Sequence, residues 1–235
     1  MRSSLLFESV EEIFLRVFRE LRPRTPPPEF SVQFYPYANI DSTIRMNAQR
    51  TQARVRMSDV LEGAPAPVRE ALAYILIAKL YRKAIPKKYS YLYRLFVNRA
   101  DIRRKALLLR QMRGRKRISP AQGRVYDLEE IFQDLCGRFF GGLLAQPRLS
   151  WSQRASRRML GHWDPAHNTI VISKIFDRPQ TPRFLLEYIV YHEMLHLKYP
   201  AEYRSQRRCV HPRAFKDEER QFPQYDEAVK LLKLL

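Results

Sequence analysis

Apolar positions along the second half of this chain switch between two rhythms. From Leu128 to Leu144 they recur at helical spacing up to the Gly141-Gly142 pair, which predicts a helix there. Strands are expected near Leu149–Gln153 and Thr169–Ile175, the second carrying Ile170 and Ile172 at alternate positions. Thr181-Pro182 then opens a long helix, with Thr181 as N-cap and Pro182 in the first helical position, and Tyr199-Pro200 closes it. Along that helix Leu185, Ile189, His192 and His196 follow i, i+4, i+7, i+11, so two imidazoles continue an apolar stripe.

The same succession is expected in the first half. Shifting the chain on itself by 114 to 119 residues pairs Val10-Glu11-Glu12-Ile13-Phe14 with Leu128-Glu129-Glu130-Ile131-Phe132, and Phe30-Ser31-Val32 with Leu149-Ser150-Trp151. Val55 to Val60 then falls on Ile170 to Ile175, Glu70, Tyr74 and Leu80 on Glu187, Tyr191 and Leu197, and Pro86 and Tyr89 on Pro200 and Tyr203. Two copies of one α+β module follow, each a first helix, two or three short strands and a long second helix starting near Pro67 or Pro182. The expected sheet is small, mainly antiparallel and covered by helices on one face. The expected division is a first copy in residues 1–98, a basic linker in 99–122 and a second copy in 123–235. Ile75, Leu76 and Lys79 stand in the first copy where the second has His192, Glu193 and His196, so the first copy is expected to hold no metal.

The stretch His192-Glu193-Met194-Leu195-His196 carries the chemistry. Residues four apart on a helix sit about 40° apart around the axis and about 6 Å along it, so both imidazoles can reach one ion. A buried imidazole without a partner costs about 1–3 kcal/mol and a buried carboxylate more, which a bound cation would offset. A catalytic zinc takes three protein ligands and leaves a fourth position for water, with a nearby Glu as base, the role expected of Glu193. The third ligand has to come from His162, His167, His211 or an Asp or Glu; His211, beyond the Pro200 break and a polar loop, is favoured. Cys209, two residues before it, is a rival candidate, with an ordinary free thiol the favoured reading. One ion per chain is expected, with zinc as the metal such a donor set takes by default.

Composition restricts the setting. The chain has 235 residues, two cysteines far apart in sequence and no apolar run of membrane-spanning length, which excludes a disulfide framework and a four-cysteine zinc ribbon. Its N-terminus, Met1-Arg2-Ser3-Ser4-Leu5-Leu6-Phe7-Glu8, meets charge too early for a secretory apolar region, so a cytoplasmic protein without a membrane partner is expected. The net charge of +19 points to a polyanion, with DNA or another nucleic acid the natural candidate. The densest basic run gives Arg103, Arg104, Lys105, Arg113, Arg115, Lys116 and Arg117 as candidate contacts; smaller clusters lie at Arg154, Arg157 and Arg158 and at Arg204, Arg207 and Arg208.

Gly161, Ile170-x-Ile172-Ser173, His192-Glu193-Met194-x-His196 and His211 followed by Phe215 together resemble the SprT-like family of zinc metallopeptidases, which includes DNA–protein crosslink proteases. The resemblance covers roughly residues 128–220, with Pro212 standing where members often have glycine. It implies a minimal zincin-like fold, His192, His196 and His211 as ligands, Glu193 as general base and hydrolysis of peptide bonds in protein substrates. His162, His167 and Tyr203 stay outside that catalytic set. The competing expectation is a nucleic-acid-binding protein in which the zinc is structural.

Overall fold

A computed structural model describes residues 8–204 and 207–235. The N-terminal residues on which the leader reading partly rests lie outside them. The chain divides into two compact units, the first ending at Gly114 and the second running from Arg115 to Leu235.

In the first unit α1 (Val10–Leu21) is held at its start by a capping box, Ser9 Oγ accepting from the Glu12 N–H and the Glu12 carboxylate from the Ser9 N–H. Strands β1 (Glu29–Tyr35), β2 (Ser42–Met46) and β3 (Gln52–Ser58) follow, then a 3₁₀ turn over Asp59–Leu61 capped by Ser58. Helices α2 (Ala66–Leu80), α3 (Lys87–Val97) and α4 (Ala100–Arg113) complete it. The second unit has α5 (Leu128–Phe140), β4 (Arg148–Trp151), β5 (Gly161–Asp164), β6 (Thr169–Ile172), a Ser173-capped 3₁₀ turn over Lys174–Phe176, and the long helix α6 (Arg183–Lys198). The hairpin β7 (Glu202–Arg204) and β8 (Arg207–Cys209), then α7 (Arg213–Glu219) and α8 (Tyr225–Leu232), end the chain.

The protein is thus α+β, but its three-stranded sheets are mixed where a mainly antiparallel one is expected. Their orders are β1-β3-β2 and β4-β6-β5, with a parallel pair (β1/β3, β4/β6) and an antiparallel pair (β2/β3, β5/β6) in each. The last two strands of each sheet form a hairpin and must be antiparallel. The first strand lies on the far side of the third, and its longer connection lets it run parallel.

The packing repeats as well. Val10, Ile13, Phe14, Val17 and Phe18 bury one stripe of α1, and Leu128, Ile131, Phe132, Leu135 and Cys136 bury the same i, i+3, i+4, i+7, i+8 stripe of α5. Strand register corrects one pairing. Val32 lies opposite Val55 and Leu149 opposite Ile170, so β1 matches β4 two residues further along, with Val32 at the place of Leu149 and Phe34 at that of Trp151. By the same register Ser42 stands where Gly161 does and Ile44 where Trp163 does.

Helix boundaries depart slightly from expectation. Pro182 itself is the N-cap of α6 and Thr181 makes no cap bond, since the fixed φ of proline already directs the chain into the helix. Helix α5 stops at Phe140, ended by Gly141 in the left-handed region with φ 59°. Residues 99–122, expected as a basic linker, hold α4 and then a segment tied to the second unit. There Lys116 pairs with Asp164 at 2.8 Å, the Ser119 N–H donates to Ser150 Oγ and the Trp151 indole donates to Ala121 O. Among the described residues no helix is long and apolar enough to cross a membrane.

Candidate metal centre

Helix α6 runs through the second unit's core, with every residue from Leu185 to Tyr191 buried. It is therefore apolar on nearly all sides over its first half, broader than the single stripe expected. Between Leu185 and His196 the burial relaxes to half-exposed only at the two histidines. The hairpin β7–β8 carries the chain out and back, so that His211 returns to the same place just before α7. One nitrogen from each of His192, His196 and His211 lies within 4.8 Å of the others, and His211 Nε2 is 3.2 Å from His196 Nε2. Three imidazoles from two separate segments converge on a point one ion could occupy. Cys209 is a half-buried free thiol in β8 and does not join the group.

The surroundings suit neutral, ligating imidazoles. Burial, reinforced by the nearby His192 and His211, pushes His196 down to about 4, and burial followed by His192 lowers His211. Phe215, itself fully buried, sets its ring 5.1, 4.8 and 4.6 Å from the rings of His192, His196 and His211. Glu219 fixes the first ligand: its Oε1 lies 2.6 Å from His192 Nδ1 and takes a second hydrogen bond from the Tyr188 hydroxyl at 2.9 Å. A carboxylate only accepts, so Nδ1 carries a proton and Nε2 is the nitrogen left for a cation. Burial works to raise the Glu219 carboxyl, but the His192 hydrogen bond and charge outweigh it and hold it below the usual range.

Glu219 and Tyr188, which hold His192 in place, are not among the residues the sequence singles out. The available signal was the acidic pair Glu218-Glu219 in a strongly basic chain. Glu218 also latches α7 to α6, accepting from Lys198 Nζ at 2.7 Å and from the Tyr199 hydroxyl, while its backbone carbonyl takes the Tyr191 hydroxyl at 3.0 Å.

Glu193 lies on the sheet side of the helix, 4% exposed, and its Oε2 is buried with no hydrogen-bond partner. Burial pushes its carboxyl up to about 7, against the opposing pull of His192 and of a hydrogen bond from the Trp163 backbone. Room for that carboxylate is made by Gly161, the first residue of β5. A β-carbon there would sit 2.7 Å from Glu193 Oε1, closer than real contacts allow. The matching position in the first unit carries Ser42, and its helix carries Leu76 in place of Glu193. The strand directly before the motif helix, β6, is central and paired on both sides. The free edge that packs against α6 belongs to β5.

The remaining candidates have other attachments. His162 lies 3.4 Å from Lys116 Nζ and His167 Nδ1 lies 3.0 Å from Asp164 Oδ2, in a cluster around the buried Asp164. Tyr203 is exposed on β7. Of the basic run, Arg103 is half-buried, Arg113 is bound by Asp59 at 2.8 Å and the Tyr37 carbonyl, and Lys116 is bound by Asp164. Arg104 and Lys105 on α4, and Arg115 and Arg117 beyond it, are exposed. The run therefore divides between the two units, half structural and half free. Arg154, Arg157, Arg158 and Arg208 are exposed.

Three imidazoles, one oriented by a carboxylate, beside a buried carboxylate oxygen with no partner form a donor set that fits a divalent, nitrogen-preferring cation such as zinc. No protein-family profile, curated protein or solved structure matches the chain.

Proposed function

We propose that this chain is a zinc-dependent metalloendopeptidase of the SprT-like kind, hydrolysing peptide bonds of protein substrates. The second unit is its working module, and the first a tandem duplicate that has lost its ligands. The observation that carries the reading is the unpartnered Oε2 of Glu193 beside three converging imidazoles. A structural zinc is enclosed by four protein ligands, whereas the group here counts three among the described residues, which supports an open position for a reacting species. Duplication is supported by equal sheet order, equal strand directions and the matching serine-capped 3₁₀ turns.

When bound, zinc would polarise the scissile carbonyl and lower the pKa of an adjacent water toward about 7. His192, His196 and His211 would hold it, with Glu219 fixing the His192 tautomer. Glu193 takes the proton from the attacking water at its carboxylate and returns it to the departing amine. The free edge of β5 offers backbone groups to an extended substrate.

The test is degradation of a basic DNA-binding protein by the zinc-loaded chain, with and without single-stranded DNA. Glu193→Gln is expected to retain zinc and lose turnover. Native turnover in that variant would refute the mechanism. The charge of +19 supports a second reading, a nucleic-acid-binding protein with a structural zinc, which predicts zinc binding and no hydrolysis under either condition.

A further inference from the structure

Each three-stranded sheet has one face turned away from its own long helix, and the chemistry of the two faces differs. In the second unit that face is closed. Ser150, Val171 and Asp164 are buried on it, beneath the segment that supplies Lys116 and Ser119. Register puts Gln33, Arg56 and Arg45 at the corresponding places in the first unit, where the face is open.

Arg45 and Arg54 lie directly opposite each other across β2 and β3, with Arg56 beside Thr43 one step along the same face. Like charges at paired positions repel, and among the described residues none of the three arginines forms an ion pair. The nearest acid on the face, Glu29 at its far end, is hydrogen-bonded to Gln52 at 3.3 Å. Arg56 lies 5.2 Å over the ring of Tyr35, which packs 4.8 Å from the ring of Tyr37, and the buried Arg56 Nε has no partner. A depression of about 340 Å³ lined by Tyr35, Tyr37, Arg45, Arg54 and Arg56 adjoins a second of about 550 Å³ along the strands, the two sharing Arg45 and Arg54. The groove therefore carries three arginines at its middle, an acid, Glu29, at its far end and a partly exposed tyrosine–arginine layer at the other.

We propose that this open sheet face binds single-stranded nucleic acid, phosphates lying against Arg45 and Arg54 and bases against the Tyr35 and Arg56 layer. Aromatic rings and guanidinium planes stack on bases without regard to sequence, and arginines along strands track the backbone. An acidic peptide would use the charges and leave the rings idle. A sheet of three strands, about 10 Å across, suits one strand better than a duplex. Arg113 at the end of α4 meets this site only through the Tyr37 carbonyl, Arg104 and Lys105 do not line it, and it is independent of whether the histidine cluster hydrolyses anything.

Fluorescence anisotropy tests it, using the full chain with Glu193→Gln and labelled single strands of about 12 nucleotides, DNA in one arm and RNA in the other. Binding to either sugar meets the proposal. Arg45→Ala with Arg54→Ala should weaken binding at least tenfold and flatten the dependence of log affinity on log salt by about 1.4, two phosphate contacts at ~0.7 each. Tyr35→Ala should weaken binding about tenfold and Tyr35→Phe should restore it. Arg104→Ala with Lys105→Ala should change it less than twofold. Thermal unfolding of each variant separates lost binding from lost fold, and Arg45 and Arg54 are exposed enough to be replaced without disturbing the core. The proposal is overturned if the native chain binds neither strand, if duplex binds as tightly, if polyglutamate competes equally, or if the α4 pair carries the loss.

Discussion

Replacing Glu219 by glutamine keeps the side chain's shape and removes its charge. The native carboxylate accepts the His192 Nδ1–H at 2.6 Å and the Tyr188 hydroxyl at 2.9 Å, with its side chain only 12% exposed. A short charge-assisted bond of this kind contributes about 1.5–3 kcal/mol. The glutamine amide can instead turn its NH₂ toward Nδ1, which moves the imidazole proton to Nε2 and removes the lone pair left for a cation. Loss of such an orienting partner lowers metal affinity about 10–100-fold, or about 1.4–2.7 kcal/mol. Titration of zinc against a chromophoric chelator measures this without any substrate. Tyr188→Phe, which removes one of the two bonds and no charge, should cost less than tenfold. Native zinc affinity in Glu219→Gln, alongside a clear loss in His192→Ala, would refute the assigned tautomer and the role of Glu219.

Gly161→Ala places a methyl 2.7 Å from Glu193 Oε1, so the carboxylate must move; peptide turnover should fall at least tenfold while zinc stoichiometry by metal analysis stays at one. Leu76→Glu puts a carboxylate into the first unit's core where Ser42 leaves no equivalent space, and denaturant unfolding should show a loss of about 3–5 kcal/mol. Asp177 is buried, which raises its carboxyl, but backbone N–H groups of Arg124, Val125 and Tyr126 donate to it and prevail, so its pKa is lowered. Because the folded carboxyl binds its proton less readily than the unfolded one, its contribution is complete above about pH 4 and fades as pH falls below it. Asp177→Asn should therefore be less stable at neutral pH and lose less on acidification, as urea melts between pH 6 and 2.5 would register; parallel curves would refute this.

The helices legible from sequence are those with one apolar stripe. Helices α1 and α5 announce themselves through matching spacings from Val10 and Leu128, reinforced by Ser9 and Asp127 at their starts. Helix α6 was found through its motif, yet its burial on nearly all sides blurs the stripe, and Pro182 moves its start by one residue. Strand β5 escaped because Gly161-His162-Trp163-Asp164 has no alternation: its composition serves Glu193 and the Lys116 cluster instead of a two-sided pleat. Helix α4 was read as a linker because nearly half of its face is charged and none of its residues is buried, which removes the periodic signal. His192, His196 and His211 could be named from spacing and chemistry. Glu219 could not be paired with His192, since only the tertiary fold brings together residues 27 apart.

Two adjacent acids, Glu218 and Glu219, fasten α7 to α6, and neither attachment involves a metal ion. The segment between His196 and His211 is thus closed by polar clamps before any cation arrives. Closing a flexible loop of this length from scratch costs about 2–3 kcal/mol of chain entropy, and in proteins that fold around their metal the binding energy is consumed in that ordering. Here the ligands are preorganised, so chelation should strip the ion and leave the far-ultraviolet spectrum and the melting cooperativity intact, with metal exchange behaving as a local, reversible event on a standing scaffold.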